Sequence, residues 1–253
     1  MLVELLCSST FIYAWMLLAL VTLCTLTRIS APYGRHARDR WGPKTSARLG
    51  WFVMEIVSPL AFLSCFFLGS RTDPAALIFL ALYVGHYAYR SLIYPLLVSS
   101  DAGQMPITVM LMAVIFNLVN GTVNGGWLYV HGPMAEQSQW NDIHFLGGVM
   151  LMVVGFVVHV RSDAILRNLR TVNGPGYHVP SGFLYRYVSC PNYLGEMVQW
   201  IGWAIAMNSL AGVSFAVWTV ANLLPRALTH HRWYRDKFAE YPAERKAVIP
   251  FVL

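Results

Sequence analysis

The chain has 253 residues, of which 57% are hydrophobic and only 12% charged, with a mean hydropathy of +0.50. Water-solvated domains carry about 25% charged residues, so an ordinary soluble domain is excluded. The net charge of +6 is spread over separate loops rather than gathered into one groove, which speaks against a nucleic-acid partner.

In chain order, the uncharged stretch Leu5 to Thr27 is too long for a signal-peptide core and is preceded by Glu4 rather than by Lys or Arg, so it reads as a retained helix. Further apolar segments near the ~20-residue bilayer length run from Leu49 to Gly69, Pro74 to Leu97, Met105 to Val130 and Ile143 to Val160. The run after Asn192 is long enough for two helices, with Asn208-Ser209 and Gly212 offering the turn. The expectation is an all-α membrane protein of about seven transmembrane helices, with residues 1–253 forming a single polytopic domain. Cys7, Cys24, Cys65 and Cys190 fall mostly within apolar segments without CxxC spacing, and His230-His231 lacks a carboxylate or thiol at ligand spacing. Neither a disulfide framework nor a metal site is expected.

Positive charge alternates between connections. Arg28, Arg35, Arg38, Arg40, Lys44 and Arg48 precede or open the second helix; Arg161, Arg167, Arg170 and Arg186 follow the fifth; Arg226, Arg232, Arg235, Lys237, Arg245 and Lys246 close the chain. The intervening connections hold almost none. By the positive-inside rule the N-terminus lies outside and the C-terminus in the cytosol. The stretch from Arg161 to Pro191 contains TVNGPGYHVPSG and reads as a structured cytosolic loop.

Ionisable side chains inside a bilayer are costly and mark function by default. Glu55 stands near the start of the second helix, Tyr87 and Arg90 late in the third, Glu196 at the start of the sixth and Arg226 at the end of the seventh, all in the cytosolic half. Asn192, Glu196 and Trp200 recur at i, i+4, i+8, as do Arg226, His230 and Tyr234; Tyr87, Arg90 and Tyr94 follow i, i+3, i+7, and Asp163, Arg167 and Arg170 follow i, i+4, i+7. Each set lines one helix face. Singly, Arg90 and Arg226 also suit snorkelling, Glu196 a helix-dipole position, and Tyr87 and Tyr94 an aromatic belt; His86, His144 and His159 read as isolated core histidines. Together the faces describe a lined cavity suited to an anionic, water-soluble ligand such as a nucleotide. With no GxGxxG after a strand and no GxxxxGK[ST], phosphates would fall to Arg side chains.

HHRWYRDKFAEYPAERKAVIPFVL at the C-terminus, SCPNYLGEMVQWIGWA and VRSDAILRNLR strongly resemble the steroid 5-alpha-reductases, including plant brassinosteroid-pathway members, and the likeness continues through PYGRH, WFVMEIVSP and GHYAYRSLIYP. The resemblance implies a seven-helix membrane enzyme that takes NADPH from the cytosolic side and reduces the C4=C5 double bond of a 3-oxo-Δ4 steroid. It implies Glu55 and Tyr87 as the pair that hydrogen-bonds the C3 carbonyl. Asp163, Arg170, Asn192, Glu196, Trp200, Arg226, His230 and Tyr234 match cofactor positions, as do Tyr33, Arg90, Tyr94 and Tyr177. Glu55 donates a proton only when neutral, a form that an apolar site favours. Three departures stand out: Met54 where the family has Gln, SSDAGQ in place of a basic loop, and Met112 where an arginine is common. These bear on the substrate more than on the cofactor.

The competing readings are a very-long-chain enoyl-CoA reductase, whose substrate wants cations that SSDAGQ does not supply, and an S-adenosylmethionine-dependent methyltransferase of related architecture. A polytopic scaffold or lipid-binding protein is the non-enzyme reading. The expected setting is the endoplasmic reticulum or a bacterial inner membrane, with the site open to the cytosol, a lipophilic enone as substrate, lipid as solvent and no obligate protein partner.

Overall fold

The computed structural model describes residues 1–29, 41–98, 103–131, 142–174 and 176–253. Tyr33 and residues 99–102 of SSDAGQ lie outside the described residues. The chain is helical nearly throughout: α1 (Leu2–Cys7), α2 (Ser9–Arg28), α3 (Ala47–Leu68), α4 (Pro74–Ala88), α5 (Tyr94–Leu97), α6 (Ile107–Gly125), α7 (Ile143–Asn173), α8 (Pro191–Met207) and α9 (Leu210–Lys237). A short antiparallel ladder, β1 (Lys44–Ser46) with β2 (Gln104–Pro106), is the one element outside the all-α expectation among the described residues.

Six helical stretches among the described residues are long and apolar enough to cross a membrane: Ser9–Arg28, Ala47–Leu68, Pro74–Leu97, Ile107–His131, Ile143–Asn173 and Leu210–Lys237. The remaining expected span is α8, of 17 residues. It ends at Asn208, whose left-handed conformation (φ 42°, ψ 50°) makes the anticipated turn, while Gly212 lies within α9. The fifth expected span runs on well past Val160 to Asn173, so Asp163, Arg167 and Arg170 share its helix.

Caps follow local chemistry. The Ser46 hydroxyl accepts the Leu49 N–H at 3.3 Å to start α3, and Asp73 accepts the Ala76 N–H at 3.1 Å ahead of Pro74, the first residue of α4. Between α4 and α5 lies a π-helical turn, Tyr89–Ile93, directly before Pro95, and a second, Gly126–His131, ends α6. Pro95 has no N–H for the Ser91 carbonyl, and the wider turn absorbs that loss.

The chain divides into two compact units. The first comprises the described residues within Met1–Ala14, Ala31–Leu146 and Ser209–Ala211; the second comprises those within Trp15–Ser30, Gly147–Asn208 and Gly212–Leu253. In the first, α3 packs chiefly on α6, where a Cβ at Gly121 would lie 2.5 Å from the Ser58 carbonyl oxygen. In the second, α7 and α8 meet backbone to backbone at two glycine pairs. A Cβ at Gly148, Gly155, Gly195 or Gly202 would fall within 2.7 Å of the carbonyl oxygen of the facing glycine, 148 opposing 202 and 155 opposing 195. Small residues permit such approach where lipid gives helices no hydrophobic reason to associate. Cys190, Met197, Ala227 and Val248 form a core cluster of this unit.

Candidate functional site

Within the first unit, Glu55 of α3 is 8% exposed, and its Oε1 accepts a 2.9 Å hydrogen bond from Arg90 Nη2. The Arg90 guanidinium, also buried, stacks 4.6 Å from the Trp51 ring centroid and 5.1 Å from that of Tyr94. Sequence reasoning placed Glu55 among apolar groups and Arg90 among the cofactor contacts. The π-turn carries Arg90 onto Glu55, so the carboxyl has a cationic neighbour rather than purely apolar surroundings.

Tyr87, one turn earlier, is 3% exposed, and its hydroxyl donates to Asn117 Oδ1 of α6 at 3.4 Å. Asn117 Nδ2 in turn donates to the Met54 carbonyl oxygen at 2.7 Å. Ser58 and Tyr83 hydroxyls meet at 2.8 Å beside them, Asn120 Nδ2 lies 3.5 Å from the Tyr83 hydroxyl, and Asn124 Nδ2 donates to Asn120 Oδ1 at 3.2 Å. Sequence reasoning missed this amide stripe because it searched for ionisable groups. The signal was legible: Asn117, Asn120 and Asn124 at i, i+3, i+7 in an apolar helix. Met54 is buried, whereas Met112 is 64% exposed, so the latter departure points away from this packed interior.

Within the second unit, Asn192 Nδ2 donates to Asp163 Oδ1 at 3.0 Å. Between them and Glu196 lies His159, 2% exposed on its side chain: Nδ1 is 3.2 Å from the Asn192 carbonyl oxygen and 3.6 Å from Glu196 Oε2, and Nε2 is 3.7 Å from Asp163 Oδ2. His159 is therefore not an isolated histidine. It stands one turn before Asp163 on the face that Arg167 and Arg170 continue, and the close Gly155/Gly195 crossing brings that face to Asn192 and Glu196.

The other expected cofactor residues distribute as follows. Arg226, His230 and Tyr234 share the continuous helix α9, with Arg226 half-buried. His230 Nδ1 lies 3.9 Å from Cys190 Sγ and its ring 5.6 Å from that of Tyr193, and Tyr234 stacks on Tyr241 at 5.4 Å. The Arg170 guanidinium lies 5.6 Å from the Tyr177 ring centroid at the surface. Trp200 is 1% exposed and packs on Phe215 with ring centroids 3.9 Å apart. The loop before α8 is tied down by the Tyr185 hydroxyl, which donates to the Ser162 carbonyl oxygen, and by the parallel bridge Val188–Lys246. Ser189 Oγ meets both His231 Nδ1 and the Tyr241 hydroxyl at 2.6 Å. Burial pushes the Tyr185 phenol well above its ordinary value, and that of Tyr241 upward as well, so both stay protonated donors.

The donor set of the second unit fits a dinucleotide, with carboxylate and amide groups for hydroxyls and a carboxamide, and guanidinium groups for phosphate. The first unit sets a phenol, a carboxyl and a guanidinium in an apolar interior, a composition suited to polarising one oxygen of a lipophilic molecule.

Such an arrangement defines a polytopic α-helical membrane protein with buried polar clusters in both units. Comparison with known proteins narrows the class. The profile of the family described as 3-oxo-5-alpha-steroid 4-dehydrogenase matches residues 103–253. Steroid 5-alpha-reductase DET2 of Arabidopsis thaliana is 40% identical over 238 residues, covering 91% of each chain. The 3-oxo-5-alpha-steroid 4-dehydrogenase 1 of Rattus norvegicus is 38% identical over 93% of this chain and 92% of its own, and that of Homo sapiens is 38% identical over 87% and 85%. The chain belongs to the 3-oxo-5-alpha-steroid 4-dehydrogenase family, a family of oxidoreductases.

Proposed function

We propose that the protein reduces the C4=C5 double bond of a 3-oxo-Δ4 steroid, the reaction that the names of its relatives suggest, and that it does so with NADPH. The observation that carries this reading is the buried set Glu55, Arg90, Tyr87 and Asn117 inside a membrane-spanning bundle. NADPH would supply the hydride, delivered to the β carbon, C5. As charge builds on the C3 oxygen, the Tyr87 hydroxyl donates to it together with a proton on Glu55 Oε2, which the site has to hold against Arg90 at Oε1, whose charge by itself favours the carboxylate. The α carbon, C4, then takes a proton from solvent as the C3 oxygen returns to a carbonyl, so that hydride and proton together saturate C4=C5. Asp163, Asn192, Glu196, Arg226 and Arg170 would hold the cofactor, with His159 between the carboxylates and Trp200 and Tyr234 backing them through packing. The membrane orientation inferred from the loop charges, N-terminus outside and C-terminus cytosolic, admits NADPH from the cytosol.

The test incubates purified protein with NADPH and progesterone or testosterone and looks for the 5α-reduced product. Absence of product together with reduction of an enoyl-CoA would replace the steroid by an acyl thioester. Glu55→Gln at near-normal turnover would make Glu55 a positioning group rather than a proton donor, and Glu55→Ala at normal turnover would remove it from the site.

A further inference from the structure

Of the three buried amides on α6, Asn124 spends its Nδ2 within the stripe, on the main-chain and side-chain oxygens of Asn120. Asn117 reaches outward to two other helices. Its Nδ2 donates to the Met54 carbonyl oxygen on α3 at 2.7 Å, and its Oδ1 receives the Tyr87 hydroxyl of α4 at 3.4 Å.

The shorter bond decides the orientation of the amide. Exchanging its nitrogen and oxygen would set one carbonyl oxygen against another, so Oδ1 has to face Tyr87. The Met54 carbonyl belongs to the peptide that enters Glu55. Four residues beyond Glu55, Pro59 lacks the N–H that would close the helix on the Glu55 carbonyl, so α3 loses a backbone bond one residue beyond the carbonyl that Asn117 grips. One side chain therefore fixes both the phenol and the backbone of the carboxyl.

The hydroxyls of Ser58 and Tyr83 also lie within hydrogen-bonding reach of Tyr87, and a phenol has one proton to give. Asn117 offers that proton an acceptor at 3.4 Å, longer than the ~2.5–3.0 Å of a well-formed O–H···O bond. A bond so loose is readily surrendered to a carbonyl oxygen that is gaining charge.

We propose that Asn117 is a positioning residue of the reaction: it holds the Tyr87 proton poised for the substrate carbonyl and locks the α3 backbone at Glu55 so that both groups meet the same oxygen. This inference rests on the steroid-reductase reading above. It assigns Asn117 an effect on the chemical step without contact with the cofactor.

The test compares wild type, Asn117→Leu, Asn117→Gln, Tyr87→Phe and the double variant Tyr87→Phe/Asn117→Leu in progesterone reduction with NADPH. Each rate is divided by the number of NADPH-binding sites titrated in the same preparation, so misfolded protein does not count. Asn117→Leu should lower kcat per site by about 10- to 100-fold, the scale of a displaced catalytic group, and leave the KM for NADPH within twofold. In the Tyr87→Phe background the same substitution should cost less than half as much, because its target is gone. If Asn117→Leu yields no NADPH-binding sites, Asn117→Gln carries the test: its longer side chain displaces the oxygen and should lower kcat per site about tenfold. Unchanged kcat per site in either folded variant, or equal losses in the two backgrounds, overturns the assignment. An active wild type in that case leaves the functional reading standing, whereas a wild type that binds NADPH and reduces no steroid overturns both.

Discussion

In the first unit Glu55 pairs with Arg90, Tyr87 with Asn117, Ser58 with Tyr83 and Asn124 with Asn120, and each of these residues is 8% exposed or less. In the second, His159 and Asp163 are equally buried, but Asn192, Glu196 and Arg226 are half-buried and Arg170 is exposed. Polar groups that satisfy one another in an apolar interior hold a few donors rigidly; a rim of mixed charge that remains partly open can take up a polar ligand. The first arrangement suits transition-state stabilisation and the second suits binding. Substitutions should separate along that line, those of the first unit in kcat and those of the second in NADPH affinity.

The sharpest test of the separation is Tyr87→Phe. Deleting one preorganised donor to a developing oxyanion costs about 10²–10³ in kcat, roughly 3–4 kcal/mol, and the hydroxyl of Tyr87 makes no structural cap whose loss would unfold α4. Steady-state kinetics should show that loss with the KM for NADPH within twofold. A rise in the NADPH KM at constant kcat would erase the distinction between the units.

Next in size is Gly155→Val. The added carbons would meet the Gly195 carbonyl oxygen and the Gln199 backbone at closest approach, and overpacking of this kind costs about 1–3 kcal/mol. Forcing α7 from α8 also separates His159 and Asp163 from Asn192 and Glu196, so thermal unfolding should fall by several degrees and NADPH affinity with it. Gly147→Ala on the same helix meets nothing within 4 Å and should leave both unchanged.

These glycines show where sequence reading stopped. Apolar run length located the starts of the spans to within a few residues but not the end of α7, which runs on past Val160 to Asn173, and alternating Lys and Arg suggested an orientation, because lipid imposes both rules on composition directly. Helical periodicity likewise grouped Asn192 with Glu196 and placed Arg226, His230 and Tyr234 on one helix. Partners across helices were not legible: spacing cannot say that Arg90 turns toward Glu55, since the π-turn at Tyr89–Ile93 resets the register on which the i, i+3, i+7 pattern depends. Nor could it say that Trp200 points into Phe215, because a tryptophan looks the same in a wall and in a core. His159 has Asp163 one turn on along its own helix, which spacing could have shown, whereas Asn192 and Glu196 reach it from α8, which spacing could not.

A smaller effect is expected of His159→Leu. The substitution sets an apolar group between Asp163 and Glu196 and removes the ring that meets the Asn192 carbonyl oxygen. Two carboxylates then face one another across a gap with no ring nitrogen between them, and the KM for NADPH should rise about tenfold, or ~1.4 kcal/mol, with kcat nearly unchanged. His159→Asn, which keeps a donor near the same oxygen, should recover most of the affinity. A fall in kcat instead would move His159 from binding to chemistry.

The smallest expected change lies in the loop before α8, where Tyr185 is fully buried and its hydroxyl donates to the Ser162 carbonyl oxygen at 3.2 Å. Burial raises this phenol far above its ordinary value near 10. A raised folded value means that the folded state keeps a proton the unfolded chain surrenders, so the stabilisation is fully present below about pH 10 and drains away as pH climbs toward the folded value. NADPH binding, which the proposed function assigns to the unit this loop anchors, should therefore fail on the alkaline side. Tyr185→Phe removes the titrating group and should flatten that alkaline loss, while at neutral pH it costs about 1 kcal/mol for the missing hydrogen bond. NADPH titrations of both proteins between pH 8 and 11 decide the matter: parallel losses would show that Tyr185 does not set the alkaline limit, and would shift attention to Tyr241, whose phenol is raised by burial against the opposing pull of Ser189 and Arg245.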